Sequence, residues 1–212
     1  MPTSLHQPTP RTGTLASLRA LVPNRQLTKT DLRQVTERQA NRLRQLLNIT
    51  DANFPMEAIN SIPRIELRSD PDLPTSAMAL WDGKTWVILV DTTETITRQR
   101  FSILHELHHI ICHTTKQQMF GNSDMRNETA ERTADLFAAC VLMPKLLIKR
   151  HWGIGPRTVT TMAKQFDVSP QAMSYRLDQL KLTDPKPRCA WTTTTTPTIT
   201  TTADSLTIME AA

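Results

Sequence analysis

The sequence contains no apolar run approaching the ~20 residues that a membrane-spanning helix needs. Near its N-terminus it also lacks the apolar stretch of ~7–15 residues that marks a secretory signal. Cysteines are few, since only Cys112, Cys140 and Cys189 occur, and their odd number and irregular spacing argue against a disulfide framework. We therefore expect a cytoplasmic protein with reduced thiols and no membrane partner.

Charge is unevenly distributed along the 212 residues. Residues 11–48 and 145–188 each carry a net charge of +6, whereas residues 49–144 carry −5. The acidic block could attract a basic DNA-binding protein, and the basic flanks could touch nucleic acid. Solvated helix faces are the simpler explanation of both features, so charge alone does not identify a partner.

What the chain does contain is an HExxH motif, His105-Glu106-Leu107-His108-His109. On a helix, His105 and His109 lie one turn apart on the same face, so their imidazole nitrogens can bind one zinc ion at ~2.0–2.1 Å. Glu106 then lies beside the ion without binding it, placed to take a proton from a zinc-bound water. The surrounding apolar residues recur at helical spacing, which predicts a buried helix. The alternative is a core helix whose histidines bond to backbone carbonyls, without zinc.

The other two histidines of this segment fit the same ion poorly. His113 follows His105 by eight residues, a rise of ~12 Å along a helix, and His108 points about 100° away from the metal face. A catalytic zinc ion usually takes three protein ligands and keeps one position for water. The third ligand is therefore expected elsewhere in the chain.

The best candidates for that ligand lie in the next helical segment, residues 127–139. Glu131 and Asp135 are four residues apart and share a face, so Glu131 can bind zinc while Asp135 accepts a hydrogen bond from a ligating histidine. Glu128 is the rival ligand, although a surface ion pair with Arg132 would also explain it. For Glu131 the corresponding alternative is an ordinary solvated helix acid.

Three blocks of sequence carry a family resemblance. They are Arg-Phe-Ser-Ile-Leu-His-Glu-Leu-His-His ending at His109, then Glu131-x-x-Ala-Asp-x-Phe-Ala-Ala, then Leu142-Met143-Pro144. In this order they resemble the ImmA/IrrE family of metallopeptidases, and the similarity extends over about residues 31–182. The resemblance implies a compact gluzincin-like core in which His105, His109 and Glu131 bind zinc and Glu106 is the general base. One departure is visible, because the family commonly has glycine where His108 stands.

The same resemblance implies a function. Family members of known role are bacterial or phage-borne proteases that cleave a helix-turn-helix repressor and so switch on its genes. We therefore expect a zinc endopeptidase whose partner is a DNA-binding regulatory protein. An oxyanion stabiliser stays open among Tyr175, Arg100 and His113, because no spacing rule places any of them near the metal.

Two further patterns concern the substrate. Residues 77–91 hold two apolar runs around Asp82-Gly83, which is a strong hairpin signal. Such a hairpin just before the zinc helix could offer an edge strand to an extended peptide, or it could simply roof the core. Toward the C-terminus, a helix over residues 159–166, a turn, and a second helix over 171–180 that begins with Ser169-Pro170 give a helix-turn-helix outline.

The second helix of this outline has polar side chains that could reach DNA bases, namely Gln171, Ser174 and Arg176. Packing of the helical pair against the protease core is the simpler role. Direct contact with DNA therefore stays an alternative to contact with a protein substrate.

Taken as a whole, the sequence predicts an α+β fold with a compact zincin-like metallopeptidase core that contains a small antiparallel sheet or hairpin. The expected organisation is a disordered arm (1–28), the core (29–150, beginning with an amphipathic helix at about 29–47), a helix-turn-helix-like segment (151–184) and a disordered Thr-rich tail (185–212). Two rival functions stay open, a DNA-binding regulator and a zinc sensor that does not hydrolyse.

Overall fold

The computed structural model describes residues 13–121, 126–155 and 157–182. Within these ranges the chain forms eight α-helices, one short 3-10 helix and three strands. In chain order they are α1 (Thr14–Arg19), α2 (Lys29–Leu46), the 3-10 helix (Met56–Ser61), β1 (Ile65–Ser69), β2 (Ala77–Trp81), β3 (Trp86–Val90), α3 (Ile96–Cys112), α4 (Lys116–Phe120), α5 (Arg126–Leu142), α6 (Lys145–Ile154), α7 (Val159–Phe166) and α8 (Pro170–Gln179). The expected α+β class is confirmed, with helices predominant.

The three strands form one sheet in the order β1-β3-β2. β2 and β3 are antiparallel and joined by a tight turn, in which Gly83 has φ 97° and the Asp82 carboxylate accepts the amide N–H groups of Lys84 and Thr85 at 2.8 and 2.6 Å. The predicted hairpin is therefore confirmed. β1 was not expected from the sequence, and it pairs with β3 in parallel. Because β3 is central, β2 is an edge strand, and it packs beside α3.

Helix α2 begins at the predicted place because Thr28 and Asp31 form a capping box. The Thr28 hydroxyl accepts the Asp31 amide at 3.2 Å, and the Asp31 carboxylate accepts the Thr28 amide at 3.0 Å. α2 packs on α5, which packs on α3 in turn. Fully buried apolar side chains of these three helices include Leu43, Leu104, Leu107, Phe137 and Val141. Helix α3 is therefore buried, as the spacing of its apolar residues predicts.

The expectation that residues 1–28 are disordered is wrong where the structure describes them. Helix α1 lies in this stretch, and Leu18 is fully buried in the main core. The Arg19 guanidinium donates to the carbonyl oxygens of Ile110 and Ile111 at 2.9 and 3.0 Å, which satisfies acceptors at the C-terminal end of α3. The prediction rested on the basic and proline-rich composition of this stretch. It overlooked a few leucines, which supply enough apolar area for α1 to pack against the core.

The two helices of the predicted helix-turn-helix outline, and the short turn between them, are present in the structure. The Ser169 hydroxyl caps α8 by accepting the Ala172 amide at 3.1 Å, and Asp167 takes a left-handed conformation (φ 53°) between α7 and α8. The suggestion that Arg176 could reach bases is wrong. Its side chain is buried at 2% exposure, and its Nε donates to the Met143 carbonyl at 3.0 Å.

Two expectations lie outside the described residues: disorder of residues 1–12 and of the Thr-rich tail over 185–212. The division of the chain into domains accordingly stays a prediction. Among the helices that the structure describes, none is long and apolar enough to cross a membrane.

Candidate metal centre

Helix α3 brings the two spaced histidines of the motif together. Thr95 caps its first turn by accepting the Arg98 amide at 3.4 Å. Four residues apart on one face, His105 and His109 place their ring centroids 4.8 Å apart, and their Nε2 atoms approach to 3.0 Å. Both rings are partly buried, so a bound ion would be partly shielded from solvent.

The carboxylate of Glu131 on α5 meets both rings. Its Oε2 lies 3.1 Å from His105 Nε2, and its Oε1 lies 3.4 Å from His109 Nε2. These contacts arise because α5 packs along α3. Three donor groups from two helices, two imidazoles and one carboxylate, therefore face one another across separations of 3.0–3.4 Å.

On the other side of the ring, His105 Nδ1 contacts Asp135 Oδ1 at 2.9 Å. If Nδ1 donates to this carboxylate, Nε2 carries the lone pair that faces Glu131 and His109. Burial lowers the pKa of His105, but the hydrogen bond and charge of Asp135, together with the charges of Glu131 and Glu106, outweigh burial, and the net shift of the pKa is upward. Asp135 is one helical turn after Glu131, so one face of α5 supplies both carboxylates.

Glu106 lies against the edge strand. Its Oε2 accepts the backbone N–H of Ala79 in β2 at 3.1 Å. Burial raises the pKa of Glu106, while the charge of His105 and the Ala79 amide act to lower it. A carboxylate with a raised pKa is a stronger base, which suits proton transfer near neutral pH.

The donor set can be compared with what zinc requires. Ligands at ~2.0–2.1 Å from a tetrahedral ion lie ~3.3 Å from one another, and the two imidazole nitrogens and the two oxygens of the Glu131 carboxylate have separations of this size here. Metal-binding atoms of His105, Glu106 and His109 all lie within 4.8 Å of one another. The residues present therefore fit a zinc ion in donor type and in spacing, and Glu106 Oε2 is the donor already held by a backbone amide.

The remaining candidate ligands lie elsewhere. Glu128 forms an ion pair with Arg132 on the exposed side of α5. His108 is fully buried on another face of α3. His113 has its ring edge against Trp86, with centroids 5.1 Å apart, one turn beyond His109.

A cavity of about 380 Å³ opens beside the histidines. Its lining residues come from β2, β3, α3, α4 and α5, and those with polar side chains are Glu106, His109, His113, Lys116 and Glu131. Lys116 lies close enough for its charge to lower the pKa of His109, after the larger effect of burial. Sequence reasoning missed Lys116 and the Ala79 amide, because neither belongs to the motif and both reach the site through packing.

Of the three oxyanion candidates, one lies in this cavity. His113 lines it, together with Glu106 and His109. Arg100 is buried elsewhere and donates to the Asp167 carbonyl at 3.1 Å, and Tyr175 lies 66% exposed on α8.

A second, larger groove of about 620 Å³ lies between α3, α5 and α8. Its apolar lining includes Phe101, Leu136, Ala139, Val168 and Ala172. Asp135 belongs to its wall, so the groove reaches the metal site. Gln171 and Tyr175 of α8 also line this groove. The face of α8 that carries these two residues therefore borders the groove.

Comparison with known proteins bears on the whole arrangement. The model of the peptidase family M78, described as IrrE N-terminal-like domain, matches residues 64–178. Among solved structures, a Mycobacterium tuberculosis transcriptional regulator has a similar fold, with a TM-score of 0.52 at 18% sequence identity. That match covers 84% of this chain and 54% of the other, so the chain spans about half the length of the regulator. No curated protein matches the sequence.

Proposed function

Because the chain belongs to the IrrE N-terminal-like peptidase family, we propose that it is a zinc-dependent endopeptidase that cleaves a regulatory protein. The observation that carries this proposal is the convergence of His105 Nε2, His109 Nε2 and the Glu131 carboxylate at 3.0–3.4 Å. Glu106 lies next to them with its carboxylate free of any ion pair with a lysine or arginine among the described residues.

In the proposed hydrolysis, the zinc ion and the protein side chains have separate roles. A bound zinc ion supplies Lewis-acid polarisation of the scissile carbonyl and acidifies the attacking water. Glu106 takes the water proton and returns it to the leaving amine, and its raised pKa makes it a competent base and a competent acid. Asp135 holds the His105 ring so that Nε2 faces the other ligands.

Edge strand β2 is suited to hold the substrate in an extended form. On the β3 side, the Ser76 carbonyl accepts a hydrogen bond from the Asp91 N–H. The Ala79 N–H instead points away from β3 and donates to Glu106. The backbone N–H and C=O groups of successive residues point to opposite sides of a strand. Those of Ala77 and Trp81 therefore point outward, as those of Ala79 do. A peptide added along this edge would pass the carboxylate that handles the proton.

The substrate class that we propose is a basic DNA-binding repressor, and the local charge of the site is compatible with it. Residues 49–144, which supply every proposed catalytic group, carry a net charge of −5. Glu131 and Asp135 are exposed at this surface. Because the whole chain carries a net charge of +5, this attraction would act only locally on a basic segment of the substrate at the site, and it would weaken with salt.

The test combines metal analysis with peptide hydrolysis, using a quenched fluorescent peptide library. Glu106→Gln should keep zinc and lose hydrolysis by about 10²–10⁴-fold, because only proton transfer is removed. Glu131→Ala should lose zinc, and Glu128→Ala is the matched control on the same helix that should keep it. Zinc stoichiometry unchanged in Glu131→Ala would show that the proposed ligand set is wrong.

A DNA-binding regulator is the second candidate, favoured by the helix–turn–helix succession of α7 and α8. The name of the similar M. tuberculosis structure, a transcriptional regulator, points the same way. Burial of Arg176 weighs against it. If DNA binding is the function, Glu106→Gln should leave the regulatory effect in cells intact, whereas proteolysis predicts its loss.

A further inference from the structure

The groove of about 620 Å³ between α3, α5 and α8 begins at the metal centre. Asp135, whose carboxylate contacts the His105 ring, lies in its wall. Further along α5, Ala139 and Met143 also line the groove. An α-helix rises ~1.5 Å per residue, so these two residues lie ~6 and ~12 Å beyond Asp135 along the helix axis. On α3, Phe101 lines the groove one turn before His105. Both helices therefore carry the groove away from the metal centre.

The groove offers a ligand apolar surface rather than unpaired charge. Its apolar lining comes from all three helices. Two exposed arginines also line it, and each already has an acidic partner on its own helix or next to it. Arg98 is paired with Glu94 at 3.4 Å, and Arg132 is paired with Glu128. Burial of apolar side chains is therefore the main source of binding free energy that this groove provides.

Helix α8 forms the third wall, and its position is fixed. Ala172 and Tyr175 of α8 line the groove. Tyr175 is 66% exposed, so its ring presents apolar surface that a ligand can cover. Arg176 is buried, and its Nε donates to the carbonyl oxygen of Met143, the residue after α5, at 3.0 Å. This bond ties α8 to the end of α5 and so holds the wall in place.

The free edge of β2 leads into the same groove. Arg98 lies in the groove lining, and its Nε donates to the hydroxyl of Ser76 at 3.3 Å. Ser76 directly precedes β2, whose Ala79 amide donates to Glu106. A peptide that extends along β2 past Glu106 would therefore reach the groove at the Ser76 end of the strand. An extended chain advances ~3.3 Å per residue, so lining residues ~6–12 Å from the metal centre meet substrate residues about two to four positions from the scissile bond.

We propose that this groove binds a short apolar stretch of the substrate, about two to four residues from the scissile bond, and that Ala172 and Tyr175 determine which side chains it accepts. The proposal rests on the endopeptidase function proposed above and adds a sequence preference to it. Because the groove lies toward the Ser76 end of β2, the apolar stretch lies on one side of the scissile bond. Helix α8 then contributes to substrate binding and needs no DNA for its role.

The first test is a peptide scan with the zinc-loaded, full-length chain. Quenched fluorescent peptides carry leucine, phenylalanine, serine or lysine at each position near the cleaved bond, on both sides. We expect kcat/KM to be at least about tenfold higher for leucine or phenylalanine than for serine, since one methylene in an apolar pocket is worth ~10–200-fold. The preference should appear about two to four residues from the bond, on one side only.

Variants of α8 assign this preference to the groove. Ala172→Phe fills the groove and should raise KM for the apolar peptides by about tenfold, with kcat and zinc content unchanged, because the lost contacts are remote from the chemistry. Tyr175→Ala should also weaken the apolar preference. It truncates an exposed side chain, so it keeps the question answerable if Ala172→Phe folds poorly. Ser174→Phe is the matched control, because Ser174 is exposed on α8 outside the groove lining, and it should behave as the parent does.

A binding measurement separates this proposal from the proposed function. Fluorescein-labelled peptides of the same set are titrated with zinc-loaded Glu106→Gln, and fluorescence anisotropy gives Kd without hydrolysis. Tighter binding of the apolar peptides, lost when Ala172→Phe is added, would support the groove even if the parent cleaved none of them. Equal binding of apolar and serine peptides would overturn it.

Two kinetic results would also overturn the groove. Hydrolysis with no apolar preference, or with KM unchanged in both Ala172→Phe and Tyr175→Ala, would leave the peptidase function standing without this subsite. Faster hydrolysis in Ala172→Phe would mean that the groove holds a segment of this chain or a second copy of it. Circular dichroism of each variant verifies the fold.

Discussion

At the scale of single residues, the orientation of His105 rests on one contact. Its Nδ1 is 2.9 Å from Asp135 Oδ1, and its Nε2 faces Glu131 at 3.1 Å. A carboxylate can only accept a hydrogen bond, so it selects the tautomer with the proton on Nδ1. In our proposal Asp135 does not bind the zinc ion, but it determines that His105 presents Nε2 to the ion.

Asp135→Asn tests this dependence. The amide can donate to Nδ1 and stabilise the opposite tautomer, so zinc affinity should fall by about 10–100-fold, with hydrolysis falling in parallel. Chelator competition with 4-(2-pyridylazo)resorcinol measures the affinity. Glu128→Gln is the control, because Glu128 is on the same helix and pairs with Arg132. Equal zinc affinity in Asp135→Asn and the parent would contradict the role given to Asp135.

At the scale of elements, the free edge of β2 is where the sheet meets the proposed chemistry. The Ala79 amide donates to Glu106 and makes no bond to β3. Proline at such an outward position removes a donor without breaking the ladder. The Ala79 N–H donor can therefore be removed by substitution with little loss of sheet stability.

Ala79→Pro should therefore keep zinc and lower kcat/KM by about tenfold or more, since a hydrogen bond to a charged group is worth ~1.5–3 kcal/mol. Met78→Pro is the contrasting variant. Met78 pairs with Leu89 in the ladder, so this change should destabilise the sheet itself. Full peptidase activity in Ala79→Pro would show that the edge amide does not assist Glu106.

The capping box of α2 carries a pH dependence. A hydrogen bond from Arg25, with further bonds from the amide and hydroxyl of Thr28, holds the pKa of Asp31 well below its usual range. Asp31 therefore binds a proton more readily in the unfolded chain than in the folded one. The stabilisation that ionised Asp31 gives to the folded state is present above pH ~4 and is lost as pH falls through the lowered pKa of the folded state. The Tm difference between the metal-free parent and Asp31→Asn should be largest above pH ~5 and shrink at lower pH. A difference independent of pH would contradict this.

The elements differ in how far sequence could anticipate them. Helices α2, α7 and α8 and the Asp82-Gly83 hairpin carry local signals, because caps, turns and periodicity act within a few residues. β1 has no such signal, since its parallel pairing with β3 depends on partners beyond its own neighbourhood. The candidate site divides in the same way. His105 and His109 follow from spacing on one helix, whereas the Ala79 amide and Lys116 arrive only through tertiary packing.

At the scale of the whole molecule, the C-terminal helical pair is tied to the zinc helix. Arg100 on α3 is buried at 6% exposure. It donates to the Asp167 carbonyl at 3.1 Å and to Asn53 Oδ1 at 2.9 Å, and it forms an ion pair with the Asp167 carboxylate at 3.4 Å. Burial lowers the pKa of Arg100, which the charge of Asp167 opposes. One side chain thus joins the turn between α7 and α8 to the core.

Arg100→Met measures whether α7 and α8 fold as part of the catalytic unit. Loss of these partly buried bonds to a charged donor should lower stability by ~1–3 kcal/mol, or ~2–4 °C in Tm for each kcal/mol, in a single cooperative transition. Arg98→Met is the control on the same helix, where an exposed pair with Glu94 should contribute less than ~1 kcal/mol. An unchanged Tm, or a separate transition for the C-terminal pair, would mean that α7 and α8 form an independent module. That outcome would favour DNA binding, because a docked pair places Gln171 and Tyr175 over the groove beside Asp135, where a protein substrate would meet them.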